Sequence, residues 1–217
     1  MHLSGKVYQE LTVENIEAII MGRIFSMSME IIAAFVILIP ILFLYHRMFF
    51  HNGKKTLAYI IFMLYLATMC LLVGFPNIAG IKMVFSFNFI PLKGMLSDIT
   101  SSYLNALLFI PLGALVPCLW SKYRSIMKVT ALGFVTSLGI EVLQIFTLRA
   151  TDVNDLITNV AGTVIGYLVS RVFIKKIPQL DSLGTKEGEL YLLYGTVAVV
   201  MFFIQPFMLL LSLQKIA

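Results

Sequence analysis

The stretch EVLQIFTLRATDVNDLITNVAGTVIG, residues 141–166, is unusual because its polar side chains interrupt a largely apolar sequence. Residues 141–159 include Glu, Gln, Arg, two Asp and two Asn, and apolar residues flank them on both sides. The chain of 217 residues is 59% hydrophobic and 12% charged, with a mean hydropathy of +0.94. A soluble domain carries about 25% charged residues. The composition therefore predicts an integral membrane protein, in which such a polar cluster needs a specific reason to exist.

Apolar runs on both sides of this stretch are long enough to cross a bilayer. A hydrocarbon core about 30 Å thick requires roughly 20 apolar residues per helix. Because backbone groups in lipid must be satisfied within their own segment, each run should be helical. We predict an all-α polytopic transmembrane helical bundle that forms a single domain over residues 24–217. Its spans, about six in number, are expected near residues 24–45, 57–75, 103–120, 126–146, 156–174 and 190–213.

The N-terminal segment, residues 1–23, has a different pattern. Between residues 9 and 21, apolar side chains fall on one helical face and Glu10, Glu14 and Glu17 on another. This pattern is typical of an amphipathic helix that lies in the membrane interface. We therefore expect an interfacial helix before the first span.

The distribution of Lys and Arg predicts the orientation of the bundle. Residues 46–56, 121–128 and 171–189 hold most of the Lys and Arg residues. Loops of this kind remain in the cytoplasm. Both termini and the polar stretch are then expected on the extracytoplasmic side of a multi-pass cell-membrane protein. The net charge of +5 suits anionic membrane lipids as partners and does not indicate a nucleic-acid partner.

The end of the fourth predicted span carries the first group of candidate site residues. Glu141 lies about six residues before the outer end, or roughly 9 Å inside the hydrocarbon boundary. An ionised carboxylate at such a depth costs on the order of 2.5 kcal/mol unless it pairs, protonates or meets water. Gln144 shares its helical face, and Arg149 is the nearest cation in the sequence.

The start of the fifth span carries the second group. Asp152 can cap this helix or act as a ligand, and Asp155 lies in the first turn, where the helix dipole favours an anion. Asn159 follows on the same face, and the glycines at 162 and 166 continue it. Small residues at this spacing permit close helix packing. We predict that spans four and five meet at these glycines and hold their polar side chains between them.

The third span and the loop before it contribute two further polar positions. Asn105 lies one turn from the outer end of the span, and we expect Pro111 with Gly113 to interrupt the hydrogen-bond ladder of the helix, free a carbonyl and bend the helix. In FSFNFIPLKG, residues 85–94, aromatic and polar residues alternate around Asn88. This segment is too short to span a membrane. It is predicted to be an extended or re-entrant outer loop that folds over the polar cluster.

Three of these segments together resemble a known family. NFIPL at 88–92, NALLFIPLG at 105–113 and the stretch 141–167 are similar, in this order, to signature segments of the VanZ-like family. The resemblance extends over about residues 88–167. It implies a small integral membrane protein of the cell envelope, since the family's namesake is associated with low-level resistance to the glycopeptide teicoplanin. It implies no particular catalytic residue.

We therefore expect an outward-facing pocket that binds an amphiphilic or lipid-linked ligand, such as an envelope precursor or a lipoglycopeptide antibiotic. Alternatives stay open: an ion-pair network that only fixes helix register, a membrane enzyme with Glu141 or Asp155 as acid or base, or a proton-coupled carrier. No metal or cofactor is expected, because the three histidines lie far from the cluster in sequence. The predicted ligand-binding residues are Asn88, Asn105, Glu141, Gln144, Arg149, Asp152, Asp155 and Asn159.

Overall fold

The computed structural model describes residues 13–76, 87–88, 99–147, 151–177 and 183–214. These residues form six α-helices, a π-helical turn at His46–Phe50, a 3-10 turn at Ser121–Tyr123 and two strands of two residues each. The helices are α1 Val13–Tyr45, α2 Gly53–Val73, α3 Ile99–Leu119, α4 Ile126–Gln144, α5 Val153–Lys176 and α6 Glu187–Gln214. The strands, β1 Phe87–Asn88 and β2 Thr151–Asp152, pair in parallel.

The predicted all-α transmembrane bundle is confirmed. Helices α1 to α5 are each long and apolar enough to cross a membrane. Large apolar side chains such as Val36, Met127 and Val135 are 63–73% exposed, and an apolar surface of this extent fits lipid rather than water. The chain is thus a multi-pass membrane protein. Helix α6 is a sixth long helix, and its passage through the membrane remains a prediction.

The first helix differs from the sequence interpretation in its extent. Helix α1 runs unbroken from Val13 to Tyr45, so no turn separates the predicted N-terminal segment from the first span within the described residues. The location of residues 13–23 in the membrane interface stays a prediction, and residues 1–12 lie outside the described part of the chain. Helix α3 continues past both Pro111 and Pro117, neither of which has a backbone N–H to donate to the helix.

Helices α3 and α5 pack most closely. A Cβ atom added at Gly162 would overlap the carbonyl oxygen of Ala106 on α3, and one at Gly166 would overlap that of Ile110. The glycines therefore let the two backbones approach directly, as small residues do between membrane helices. The prediction that they face α4 is wrong. Helical periodicity defines which residues share a face, but it does not identify the helix opposite.

Helix α4 contacts α5 through a different pair of residues. The position of a Cβ at Gly133 is occupied by the side chain of Thr163, whose hydroxyl also donates to the Asn159 carbonyl within α5. A second contact between α4 and α5 is a hydrogen bond, which the Asn159 Nδ2 donates to Ser137 Oγ on α4 at 2.9 Å. Helix α5 is thus packed between α3 and α4, and its polar face lies along both.

Helices α1, α2 and α6 form the other half of the bundle. They pack on one another, and α2 also contacts α3. The core between the halves consists of fully buried side chains. Among the largest are Tyr59, Phe62, Met63, Phe109, Leu112, Trp120, Leu190 and Leu193.

A buried ion pair joins α2 to the start of α6. Lys55 Nζ lies 2.7 Å from Glu189 Oε1 and donates to the Gly184 carbonyl, while Tyr59 donates to Glu189 Oε2 at 2.7 Å. The Lys186 amide donates to the same oxygen at 2.7 Å. Burial alone would raise the pKa of the Glu189 carboxyl, but the hydrogen bonds and the Lys55 charge hold that pKa below its ordinary value.

The bundle consequently has two chemically different ends. At one end the start of α2, the end of α3 and the start of α6 meet, since Trp120 Nε1 donates to the Lys186 carbonyl at 3.0 Å and its ring stacks on Tyr59. The described residues of the Lys-rich segments 46–56, 121–128 and 171–189, which are predicted to be cytoplasmic, lie at this end. The polar stretch that opened the sequence analysis lies at the opposite end.

Candidate functional site

The end of the bundle opposite the Lys-rich loops contains a polar cavity of about 620 Å³. Helices α2, α3, α4 and α5 all contribute to its wall. Apolar residues such as Leu108, Pro111 and Ile140 line part of it. Its polar lining consists of Tyr65, Ser101, Asn105, Glu141, Gln144, Asp155 and Asn159.

Glu141 is the most buried acidic residue of the cavity wall, at 3% exposed. Its Oε2 accepts a hydrogen bond from the Asp152 amide at 3.0 Å, and its backbone carbonyl accepts one from the Thr151 hydroxyl at 3.1 Å. A hydrogen bond to a carboxylate is stronger than one between neutral groups. These contacts fasten the last turn of α4 to the segment that leads into α5.

Asp152 caps the start of α5. Its Oδ1 accepts from the Asn154 amide at 2.8 Å, so it is the N-cap of α5. The strand pairing aligns Asn88 with Asp152 and Phe87 with Thr151. Residues 87–88 therefore pair with the segment that leads into α5. The predicted folding of the loop over the polar cluster stays a prediction, because residues 89–94 lie outside the described part of the chain.

Gln144 connects the cavity to α2. Its Nε2 donates to the Val73 carbonyl at 3.2 Å, and the residue is 7% exposed. Val73 ends α2, so its carbonyl is one of those with no partner inside the helix. The Gln144 side chain satisfies this carbonyl and fixes the end of α2 against α4.

Asn159 is the residue whose bonding is incomplete. It is 4% exposed, its Nδ2 donates to Ser137, and its Oδ1 has no hydrogen-bond partner among the described residues. A buried polar atom without a partner costs about 1–3 kcal/mol. Because Asn159 lines the cavity, a molecule in the cavity with an O–H or N–H group would supply the missing donor.

Asp155 adds a half-buried carboxylate to the same wall. It lies in the first turn of α5, where the helix dipole favours a negative charge. The Thr158 hydroxyl donates to its backbone carbonyl at 3.1 Å. Asp155 and Glu141 thus bring two carboxylates from adjacent helices to one cavity.

The structure brings together five of the eight residues predicted to bind a ligand: Asn105, Glu141, Gln144, Asp155 and Asn159. Asp152 caps α5 and is not part of the cavity wall. Asn88 is described through its backbone pairing, and Arg149 lies outside the described residues. The sequence interpretation missed the α2 wall with Tyr65, and it missed Ser137, because single hydroxyl groups and backbone carbonyls produce no recognisable pattern.

No three His, Cys, Asp or Glu side chains come together as a metal-binding set within the part of the chain that the structure describes.

A comparison with protein families matches residues 59–174, just over half of the chain, to the VanZ/LLP1 family model. The match begins in α2 and ends near the end of α5, so it contains every described residue of the cavity wall. Comparisons with curated proteins and with solved structures give no match for this chain.

Proposed function

Because this family model covers more than half of it, the chain belongs to the VanZ/LLP1 family, and we propose that its polar cavity binds the head group of an amphiphilic or lipid-linked molecule. The protein then acts in the cell envelope and lowers susceptibility to lipoglycopeptide antibiotics such as teicoplanin. Membrane lipids are its surroundings, and an envelope precursor or the antibiotic itself is the bound partner.

The observation that carries this proposal is the incomplete bonding of Asn159. The Oδ1 atom is buried with no donor in the part of the chain that the structure describes, on the wall of a cavity large enough for a small polar group. Ligand sites commonly combine a mostly apolar wall with a few convergent polar groups. The free acceptor requires a donor, so the head group carries an O–H or N–H.

The distribution of Lys and Arg supports an outward-facing cavity. The loops rich in Lys and Arg lie at the far end of the bundle, and such loops remain in the cytoplasm. A cavity at the opposite end then opens towards the outer leaflet, where envelope precursors and glycopeptide antibiotics are found. A cysteine placed at Asp152 should react with an impermeant thiol reagent in intact cells; a lack of labelling until the cells are permeabilised would contradict this orientation.

Antibiotic susceptibility provides the functional test. Expression should raise the inhibitory concentration of teicoplanin more than that of vancomycin, because only teicoplanin carries a fatty-acyl chain. The Asn159→Leu variant, which removes the amide, should lose the effect at equal membrane expression. Ser28→Leu is the matched control, because Ser28 lies on α1 and, among the described residues, its hydroxyl donates only to the Ile24 carbonyl of the same helix. Equal shifts for both antibiotics, or an unaffected Asn159→Leu variant, would contradict the proposal.

A second candidate function is favoured by the location of Glu141 and Asp155 on the same cavity. Two carboxylates from adjacent helices can serve as acid and base on a bound envelope lipid. Glu141→Gln preserves the size of the side chain and should insert normally while abolishing turnover. Envelope lipid profiles that do not differ between a deletion strain and its parent would exclude this function.

A further inference from the structure

A second cavity lies beside the polar one, between α4 and α6 with α2 at its base. It has a volume of about 380 Å³ and is lined almost entirely by apolar side chains. A neighbouring cavity of about 400 Å³ shares three of these residues, Phe75, Leu143 and Ala198. We call the two together the α4–α6 crevice.

The α4–α6 crevice adjoins the polar cavity. Val73 and Ile140 line both, and each is 8% exposed. Only these two side chains are common to the polar and the apolar lining among the described residues. A hydrocarbon chain attached to a head group in the first cavity therefore has to pass beside Val73 and Ile140 to reach the crevice.

The crevice is also long. Along α4 its lining runs from Leu132 to Phe146, which corresponds to about 21 Å at 1.5 Å per residue. One leaflet of the hydrocarbon core is about 15 Å deep. From Ile140, where the two linings meet, the crevice extends about 12 Å along α4 to Leu132, so a hydrocarbon chain can follow the protein over most of the depth of one leaflet.

We propose that the α4–α6 crevice binds the single long hydrocarbon chain of the amphiphile whose head occupies the polar cavity. This inference rests on the proposed function and specifies its ligand class: one head group with a hydrogen-bond donor, joined to one long chain. Lipid tails are as apolar as the crevice, so burial from water supplies no net attraction. The crevice selects the chain of the bound amphiphile over the chains of bulk lipids because the head group in the polar cavity keeps its own chain close to the crevice.

Two glycines allow the crevice to be filled without disturbing the bundle. Gly139 on α4 and Gly195 on α6 both line it, and an added Cβ at either has no atom within 4 Å. Leucine at these positions occupies the space of the chain and favours the helix more than glycine does. Gly188, also on α6 and equally unobstructed, lies outside the crevice and provides the matched control.

The test uses the full-length protein in lipid nanodiscs and a long-chain N-acyl amino sugar with a diazirine group on its chain. Illumination should label peptides from residues 132–146 and 194–203. Labelling of both should fall at least tenfold in Gly139→Leu and Gly195→Leu and remain unchanged in Gly188→Leu. Thermal unfolding of each variant verifies that the bundle is folded.

Binding of the same amino sugar without its acyl chain tests the head-group site in the polar cavity separately from the chain site in the crevice. The unacylated sugar should bind the wild type and both crevice variants, and Asn159→Leu should lose both sugar binding and chain labelling. Labelling spread evenly over the lipid-facing surfaces would overturn the chain site while sugar binding leaves the proposed function in place. Absence of sugar binding to the wild type would overturn the proposed function for this head group, whatever the labelling pattern.

Discussion

Removal of one partner from the buried Lys55–Glu189 pair should destabilise the protein strongly and unequally. The side chains are 5% and 11% exposed, and loss of one partner from such a pair costs about 3–5 kcal/mol. Lys55→Met leaves Glu189 with two donors, Tyr59 and the Lys186 amide, so its cost should be about 3 kcal/mol. Glu189→Leu leaves the Lys55 ammonium buried without its carboxylate and removes the acceptor of the Tyr59 hydroxyl and the Lys186 amide. Its cost should therefore approach about 5 kcal/mol.

Thermal unfolding of purified protein measures this difference. For a chain of this size, each kcal/mol corresponds to about 2–4 °C, so Lys55→Met should lower the midpoint by about 6–12 °C and Glu189→Leu by about 10–20 °C. Lys122→Met is the matched control, because Lys122 pairs with Glu187 at the same end but both side chains are more than 40% exposed. Exposed pairs contribute about 0–1 kcal/mol. Similar midpoints for Lys55→Met and Lys122→Met would refute the reasoning.

Three further predictions concern packing, capping and pH. Gly162→Leu should prevent assembly of a monodisperse protein in size-exclusion chromatography, because its side chain overlaps the α3 backbone, whereas Gly22→Leu, with open space around it, should behave as the wild type. Asp152→Ala should lower stability by about 1 kcal/mol in thermal unfolding, and Asp152→Asn, which retains a cap, should not. Because the folded-state pKa of Glu189 is lowered, its contribution is complete above the ordinary value of 4.5 and is lost as the pH falls through the folded value. The wild-type midpoint should therefore fall more steeply than that of Glu189→Gln between pH 5 and pH 3.

The existence of the helices could be predicted from sequence because length and hydropathy alone decide whether a segment suits a bilayer. Which helices pack against each other could not be predicted from the sequence. Gly162 and Gly166 predict a close contact, but only the three-dimensional packing shows that they face α3 rather than α4. The continuity of α1 was not predictable either, since an amphipathic pattern and a span pattern can follow each other in one unbroken helix.

The cavity was predictable in part because polar residues inside apolar spans are rare and must find polar surroundings. Asn105, Glu141 and Asn159 do line one cavity. The pair Lys55 and Glu189 could not be recognised in the same way, since both residues lie near predicted span ends, where charged residues need no special explanation. The two residues are also far apart in sequence, and sequence spacing cannot show a contact of this kind.

The central claim is that the polar cavity holds the head group of an amphiphile through Asn159. The most direct measurement is mass spectrometry of the small molecules that copurify with wild-type protein, Asn159→Leu and the control Ser28→Leu. The account predicts a compound with a donor-bearing head and one long chain, enriched with the wild type and Ser28→Leu and missing from Asn159→Leu. The same set of bulk lipids in all three samples, with no such compound, would contradict it.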